Sequence, residues 1–224
     1  GQDVKEGERV LTSGTTLRPA EGGVLSSLGH DRVRVIRRPV ISILSTGDEL
    51  LEPGDAHAAG KIYDSNSYSV AAAVLKYGGV PRKLGIARDN IESVTAKIRE
   101  GLASDMLITS AGVSKGDYDM VKDVLATHGQ IDFWSVRMRP AKPLAFGVLD
   151  ADEDRRVPHL GLPGNPVSAL VAFEQFGRAA IHKMMGKKAD AKTTIKAVLD
   201  EPIYNTDGRR VYARAIVTKR NGTY

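Results

Sequence analysis

The chain contains no cysteine, which removes disulfides, thiolate metal sites and a cysteine nucleophile. Its five histidines, at positions 30, 57, 128, 159 and 182, lack any HxxxH-like spacing, so a zinc site built on imidazoles is not expected. No apolar run approaches membrane-spanning length and no signal-peptide pattern opens the chain, so the expected setting is cytoplasmic, with no membrane partner. Aromatic residues make up only 5% and basic residues are scattered. A nucleic-acid surface is therefore not expected, although a net charge of +5 favours anionic partners in general. There is no internal repeat and no low-complexity tract. What is there, over 224 residues with 42% hydrophobic and 26% charged content, is the composition of a globular protein with room for more than one domain. The chain begins without Met and stops at Thr223-Tyr224 after a strand that lacks a partner, so it reads as a piece of a longer protein.

Three regions are expected. Residues 1–38 read as the end of an amino-terminal or linking domain, with a short strand around Arg9 to Leu11, a helix from Pro19 to Gly29 and a strand from Arg32 to Ile36. Residues 39–186 alternate strand and helix. Val40 to Leu44 is a mostly apolar run, as in strands buried on both faces. Helices are expected from Ser67 to Tyr77, from the Asn90 cap to Ala103, from Tyr118 to Thr127 and from Pro166 to Met185. Between them fall strands at Val80–Ala87, Met106–Thr109, Ile131–Met138, Leu144–Leu149 and Val157–Leu162. Such alternation predicts an α/β fold, a mainly parallel sheet with helices on both faces. Residues 187–224 read as the start of a small β domain, with strands at Ile195–Leu199 and Val211–Val217 around an Asn205-Thr206-Asp207-Gly208 turn.

In open α/β sheets ligands bind beyond the carboxyl ends of the strands, and the chemical motifs fall there. Gly161-Leu162-Pro163-Gly164-Asn165-Pro166-Val167-Ser168 carries a strand through a stiff double-proline turn into a helix. Pro166 suits the first helical position and Asn165 the cap. The first-turn N–H groups make a pocket for an oxyanion, or the segment is simply a rigid joint. Ser45-Thr46-Gly47-Asp48-Glu49 offers small residues for backbone approach and two carboxylates for a metal or general-base role, although turn capping by Asp48 also accounts for part of it. Asp64-Ser65-Asn66-Ser67 opens a helix with more polar residues than one cap needs. Asp89 sits at the same rim as a helix-dipole partner. Ser110-Ala111-Gly112-Val113-Ser114-Lys115-Gly116-Asp117-Tyr118-Asp119 has the form of a phosphate-cradling loop without the Walker order, and its acids would sit beside a bound phosphate, where Mg²⁺ relieves the repulsion. Arg137-Met138-Arg139-Pro140-Ala141-Lys142-Pro143 places three cations around two prolines, with Arg137 and Arg139 on one strand face.

Taken together, LSTGDEL, YDSN, DMLITSAGVSKGDYDMVKDVL, FWSVRMRPAKPLAFG and LGLPGNPVSALVAFE resemble the molybdopterin molybdenumtransferase (molybdenum insertase) family, which includes the E domain of gephyrin. The resemblance implies a cytosolic homodimer of four-domain subunits around a molybdopterin-binding α/β fold, with each site completed by a domain of the partner subunit. It implies a transferase that takes adenylated molybdopterin and molybdate, releases AMP and leaves molybdenum on the dithiolene, with Mg²⁺ as the usual cation. Molybdopterin adenylyltransferase and apo-molybdoenzymes are the further partners it suggests. The family's acidic catalytic and metal positions fall on Glu49, Asp89 and Asp119. Its ligand-facing positions fall on Asp64, Ser65, Asn66, the loop with Gly112, Ser114 and Gly116, Arg139, Lys142, Pro163 and Pro166, and the motifs around them add Thr46, Gly47, Asp48, Ser110, Asp117, Gly164, Asn165 and Ser168 as substrate-binding candidates.

Ala111 and Ala141 stand where the family's pattern has glycine. The changes are conservative if φ is negative there, and otherwise bear on pterin affinity or on the substrate variant bound. A non-catalytic molybdopterin-binding or scaffold module, and a molybdopterin adenylyltransferase, are the alternative functions.

Overall fold

A computed structural model describes residues 3–111, 118–187 and 192–219. Its centre is a six-stranded sheet in the order β4-β1-β5-β9-β8-β6. Strands β4 (Val80–Ala87), β1 (Val40–Thr46), β5 (Met106–Ser110) and β9 (Arg156–Leu162) run parallel. Strands β8 (Pro143–Asp150) and β6 (Gly129–Ser135) add an antiparallel edge, the hairpin-like solution open to strands close in sequence. β1 is buried from Ile41 onward and β5 along its whole length, as a parallel strand covered on both faces must be.

Helices cover the two faces. On one, α2 (Asn66–Lys76) and the helical run from Pro166 to Met184 pack Val70, Val74, Ala169 and Phe173 against Ile41, Ile43 and Leu160. On the other, α3 (Ile91–Gly101) and α4 (Tyr118–Thr127) pack Val94, Ile98 and Leu125 against Leu44 and Leu107. Burying a Leu, Ile or Val side chain is worth about 1.5–3 kcal/mol, so these two layers fix the sheet that carries the site. Asn90 caps α3 by accepting from Ser93 N at 2.8 Å, as the sequence indicates. No helix among the described residues is long and apolar enough to cross a membrane.

Several expected elements differ. The long helix from Pro166 is interrupted: α5 (Pro166–Ala172) passes through a π-helical turn (Phe173–Gly177) into α6 (Arg178–Met184). A side chain at Gly177 would lie 2.6 Å from Phe173 Cδ2, so glycine allows the wide turn to close on the buried ring. The strand expected over Ile131–Met138 breaks after Ser135, where Val136 N turns to Lys142 O at 2.8 Å, and pairing resumes only in the two residues of β7 (Met138–Arg139).

The amino-terminal strands do not form. Among the described residues before Val40 only α1 (Pro19–Ser27) is regular, and it buries no residue. Val33, Val35 and Ile36 are exposed, with no ladder to join. Toward the other end, Ile195–Leu199 is irregular and exposed, and the expected Val211–Val217 strand shrinks to β10 (Arg210–Val211), parallel to β7. A strand needs a neighbour's backbone as well as apolar residues, and among the described residues none faces these segments.

Candidate active site

The sheet register sets the site's level. Ser45 on β1 pairs with Ser110 on β5, and Ser110 with Leu162 on β9. Three adjacent parallel strands therefore release their chains at one edge. A cavity of about 230 Å³ lies there, lined by Ser45, Thr46 and Glu49 after β1, by Tyr63 to Asn66 at the start of α2, by Ser110 and Ala111 after β5, and by Gly164 and Pro166 before α5. A larger groove, about 500 Å³, runs between residues 11–17, 33–36 and 185–187 and contains none of the expected site residues.

The β1 loop is bound on several sides. Gly47 has φ +143, and a Cβ there would sit 2.5 Å from Glu49 Oε2, so the glycine lets the Glu49 carboxylate fold over the turn. Glu49 O accepts Ile62 N at 2.8 Å, continuing the short parallel pair of β2 (Leu50–Leu51) and β3 (Ile62–Tyr63). Asp48 and Asp89 do not line the cavity. They clasp each other instead: Asp48 N donates to Asp89 Oδ2 at 3.0 Å, and Asp89 N to Asp48 Oδ1 at 3.2 Å.

The α2 start is buried. Asp64, only 2% exposed, accepts Ser67 N on Oδ1 at 3.0 Å and donates its own N–H to Leu51 O at 2.8 Å. This Asp, one residue before the formal cap Ser65, satisfies the helix N-terminus. Asn66 uses both hydrogens of Nδ2, donating to Ser110 Oγ at 2.8 Å and to Gly164 O at 2.7 Å. One side chain thus ties the α2 start to the ends of β5 and β9. Asn165 caps α5 through Ser168 N at 3.1 Å and also takes the Ser168 hydroxyl at 3.3 Å, so the Pro163–Pro166 turn has the capped geometry its sequence indicates.

Both alanines that replace glycine have positive φ, +74 at Ala111 and +68 at Ala141. The condition for conservative replacement is not met. Each holds an L side chain in the left-handed region at a cost of roughly 1–2 kcal/mol. Ala111 places its methyl in the cavity wall, 3.4 Å from where a Gly164 Cβ would be.

Arg137, Arg139 and Lys142 do not line the cavity. Arg139 pairs with Asp207 at 3.8 Å, Arg137 Nη2 donates to Gly208 O at 3.2 Å, and the Lys142 side chain is exposed. A hydrogen bond from Arg209, reinforced by backbone and Coulombic contributions, holds Asp207 below the usual carboxylate range. Gly112, Ser114, Lys115, Gly116 and Asp117 lie outside the described residues, and Asp119 belongs to the first turn of α4. The sequence does not single out Ser45 or Tyr63 individually, although Ser45 directly precedes Thr46 in the same motif. For a metal, Glu49 and Asp64 bring the oxygen donors a hard divalent cation takes. Among the described residues, no three His, Asp or Glu side chains converge on one point.

Comparison with known proteins agrees with this architecture. The family described as "Probable molybdopterin binding domain" matches residues 42–183. Molybdopterin molybdenumtransferase of Haemophilus influenzae is 42% identical over 189 residues, which is 84% of this chain and 46% of that protein. Molybdopterin molybdenumtransferase 2 of Mycobacterium tuberculosis is 36% identical over the whole chain and 56% of its own length. The chain therefore spans about half the length of the curated relatives it matches. The crystal structure of the molybdopterin biosynthesis MoeA protein from Pyrococcus horikoshii superposes with a TM-score of 0.68 at 26% identity, covering 84% of this chain and 45% of that one. With its sheet, its strand-end cavity and this match over most of its length, the chain belongs to the family of probable molybdopterin-binding domains.

Proposed function

We propose that this chain is the molybdopterin-binding part of a molybdenum insertase, a transferase that acts on adenylated molybdopterin and molybdate and releases AMP. The observation that carries this is the joint occupation of one strand-end cavity by Glu49, Asp64, Asn66, Ser110 and the Gly164–Pro166 turn, in a chain whose relatives are named for that activity. Residues 39–186 would form the binding unit, and the flanking segments would belong to neighbouring domains. The protein would work in the cytoplasm as a homodimer, supplied by a molybdopterin adenylyltransferase and serving apo-molybdoenzymes.

In this reading the capped start of α5, with Pro163 and Pro166 fixing its approach, binds the tetrahedral oxyanion. Ser168 bonds to the Asn165 cap and keeps that turn in shape. Thr46 and Gly47 let the backbone after β1 approach the substrate closely, while Arg139 and Lys142 meet the nucleotide phosphates at the cavity's edge. Glu49 takes a proton from the water that attacks the adenylate phosphorus, and the phosphoanhydride bond breaks to release AMP. Mg²⁺ would be held by Glu49 and Asp119, and by Asp89 if it gives up its bond from Asp48 N, and would neutralise phosphate charge.

The test is AMP release from adenylated molybdopterin in the presence of molybdate, by the full-length protein. Glu49→Gln should lower the rate by about 100-fold or more, the usual contribution of a positioned acid or base. Full activity in that variant rejects Glu49's role.

A further inference from the structure

Three side chains that border the strand-end cavity carry a buried oxygen with no hydrogen-bond partner among the described residues: Ser45 Oγ, Asp64 Oδ2 and Asn66 Oδ1. Their residues are 1%, 2% and 7% exposed. A polar atom left buried and unpaired forfeits the hydrogen bonds it makes in water, and three around one cavity indicate a missing group of complementary chemistry.

The polarity of two of them is fixed by their other bonds. Asp64 Oδ1 already accepts Ser67 N, so Oδ2 is a second acceptor of the same carboxyl. Asn66 has committed Nδ2 to Ser110 Oγ and Gly164 O, so Oδ1 is an acceptor that no amide flip can convert. Ser45 Oγ adapts by rotation. The missing group must therefore donate. An oxyanion brings only acceptors, and among the described residues no Lys or Arg lines the cavity. A metal ion as the occupant is disfavoured, since among the described residues no three His, Asp or Glu side chains converge on one point.

We infer that Asp64 and Asn66 form a donor-recognising subsite, which accepts N–H groups from the amine-bearing edge of a planar heterocycle and so selects the end of the ligand that enters the cavity. The inference rests on the molybdopterin reading above, and it separates the pterin end from the oxyanion pocket at the α5 start. Two acceptors from Asp64 and Asn66, two positions apart at one helix start, suit the paired exocyclic amine and ring N–H of an aminopyrimidinone.

The test compares two small probes with the full chain, titrated by fluorescence or calorimetry. Pterin carries the two-donor edge, and in lumazine an oxo group replaces the amine. Pterin should bind about tenfold tighter or better, because a site built for a donor rejects an analogue that presents an acceptor there. Asp64→Asn keeps an oxygen for Ser67 N and so preserves the helix start, which a thermal melt checks. It turns Oδ2 into a donor, and should erase most of the preference. Equal binding of the two probes, no binding of either, or a preference unchanged in Asp64→Asn overturns the subsite. So does saturation by Mg²⁺ alone that Asp64→Asn abolishes without any pterin preference. If discrimination fails while the protein still releases AMP, only the subsite falls. If discrimination holds without AMP release, the subsite stands and the insertase reading falls.

Discussion

Asp48 and Asp89 each accept the other's backbone N–H, at 3.2 and 3.0 Å. This reciprocal clasp joins the turn after β1 to the turn after β4, where Gly47 N also donates to Ala87 O. It gives Asp48 a positioning role, since the next residue is Glu49. Asp48→Ala removes the acceptor for Asp89 N and should destabilise by about 0.5–1.5 kcal/mol, whereas Asp48→Asn retains an oxygen and should stay close to wild type. Urea unfolding distinguishes them. Equal midpoints for both variants would mean the clasp contributes nothing.

The Asn66 side chain bonds to both Ser110 and Gly164. Truncation to Ala removes two hydrogen bonds at a buried position, and should cost on the order of 2 kcal/mol. Asn66→Asp should cost more, because it points a carboxylate oxygen at the Gly164 carbonyl. Thermal melts at neutral pH give the order wild type, Ala, Asp. An Asp variant as stable as wild type would show that the bridge does not hold the three elements together.

The two alanines at positive φ separate backbone strain from burial. At Ala111, half-buried in the cavity wall, glycine relieves roughly 1–2 kcal/mol of strain against about 0.5–1 kcal/mol of added chain entropy. Ala111→Gly should therefore raise stability by roughly 0.5 kcal/mol. Ala141 is 4% exposed, so its glycine variant also loses a buried methyl worth about 0.8 kcal/mol and should end near or slightly below zero. A lower melting temperature for Ala111→Gly than for Ala141→Gly would contradict this balance.

The sequence made the central sheet legible because buried parallel strands are continuous apolar runs. Val80–Ala87 and Tyr118–Thr127 coincide with the expected elements, and the caps Asn90 and Asn165 bond as their positions indicate. The flanking strands were not legible, since Val33 or Ile195 can show a strand's pattern without having a neighbour to pair with. The π-helical turn depends on Phe173 meeting Gly177, a packing fact that periodicity cannot express. At the site, strand ends located the rim, and Thr46, Glu49, Asp64, Ser65, Asn66, Ser110, Gly164 and Pro166 do share it. Which atoms remain free there was hidden. The acceptor character of Asn66 is decided by Gly164, 98 residues away, and Arg139 is drawn aside by Asp207.

His159 lies in the middle of this sheet, fully buried on β9, sharing a hydrogen bond with Thr109 on β5 at 3.1 Å. Burial pushes its imidazole down to about 3, from an ordinary value of 6.5. The unfolded chain therefore binds a proton below about pH 6.5 that the native state refuses until about pH 3. Above that range His159 is neutral in both states and contributes no pH dependence. Within it the fold loses about 1.4 kcal/mol per pH unit as the pH falls, on this account alone, a loss on the order of several kcal/mol by the acid end. Carboxylates titrate in the same window, so the comparison must be with a variant that cannot protonate. His159→Gln fills the site and can still bond to Thr109. Urea unfolding from pH 7 to 4 should show the wild type falling more steeply than the variant, by about one proton. Parallel curves would mean that His159 accepts its proton inside the fold, and that the β5–β9 pair tolerates a buried charge.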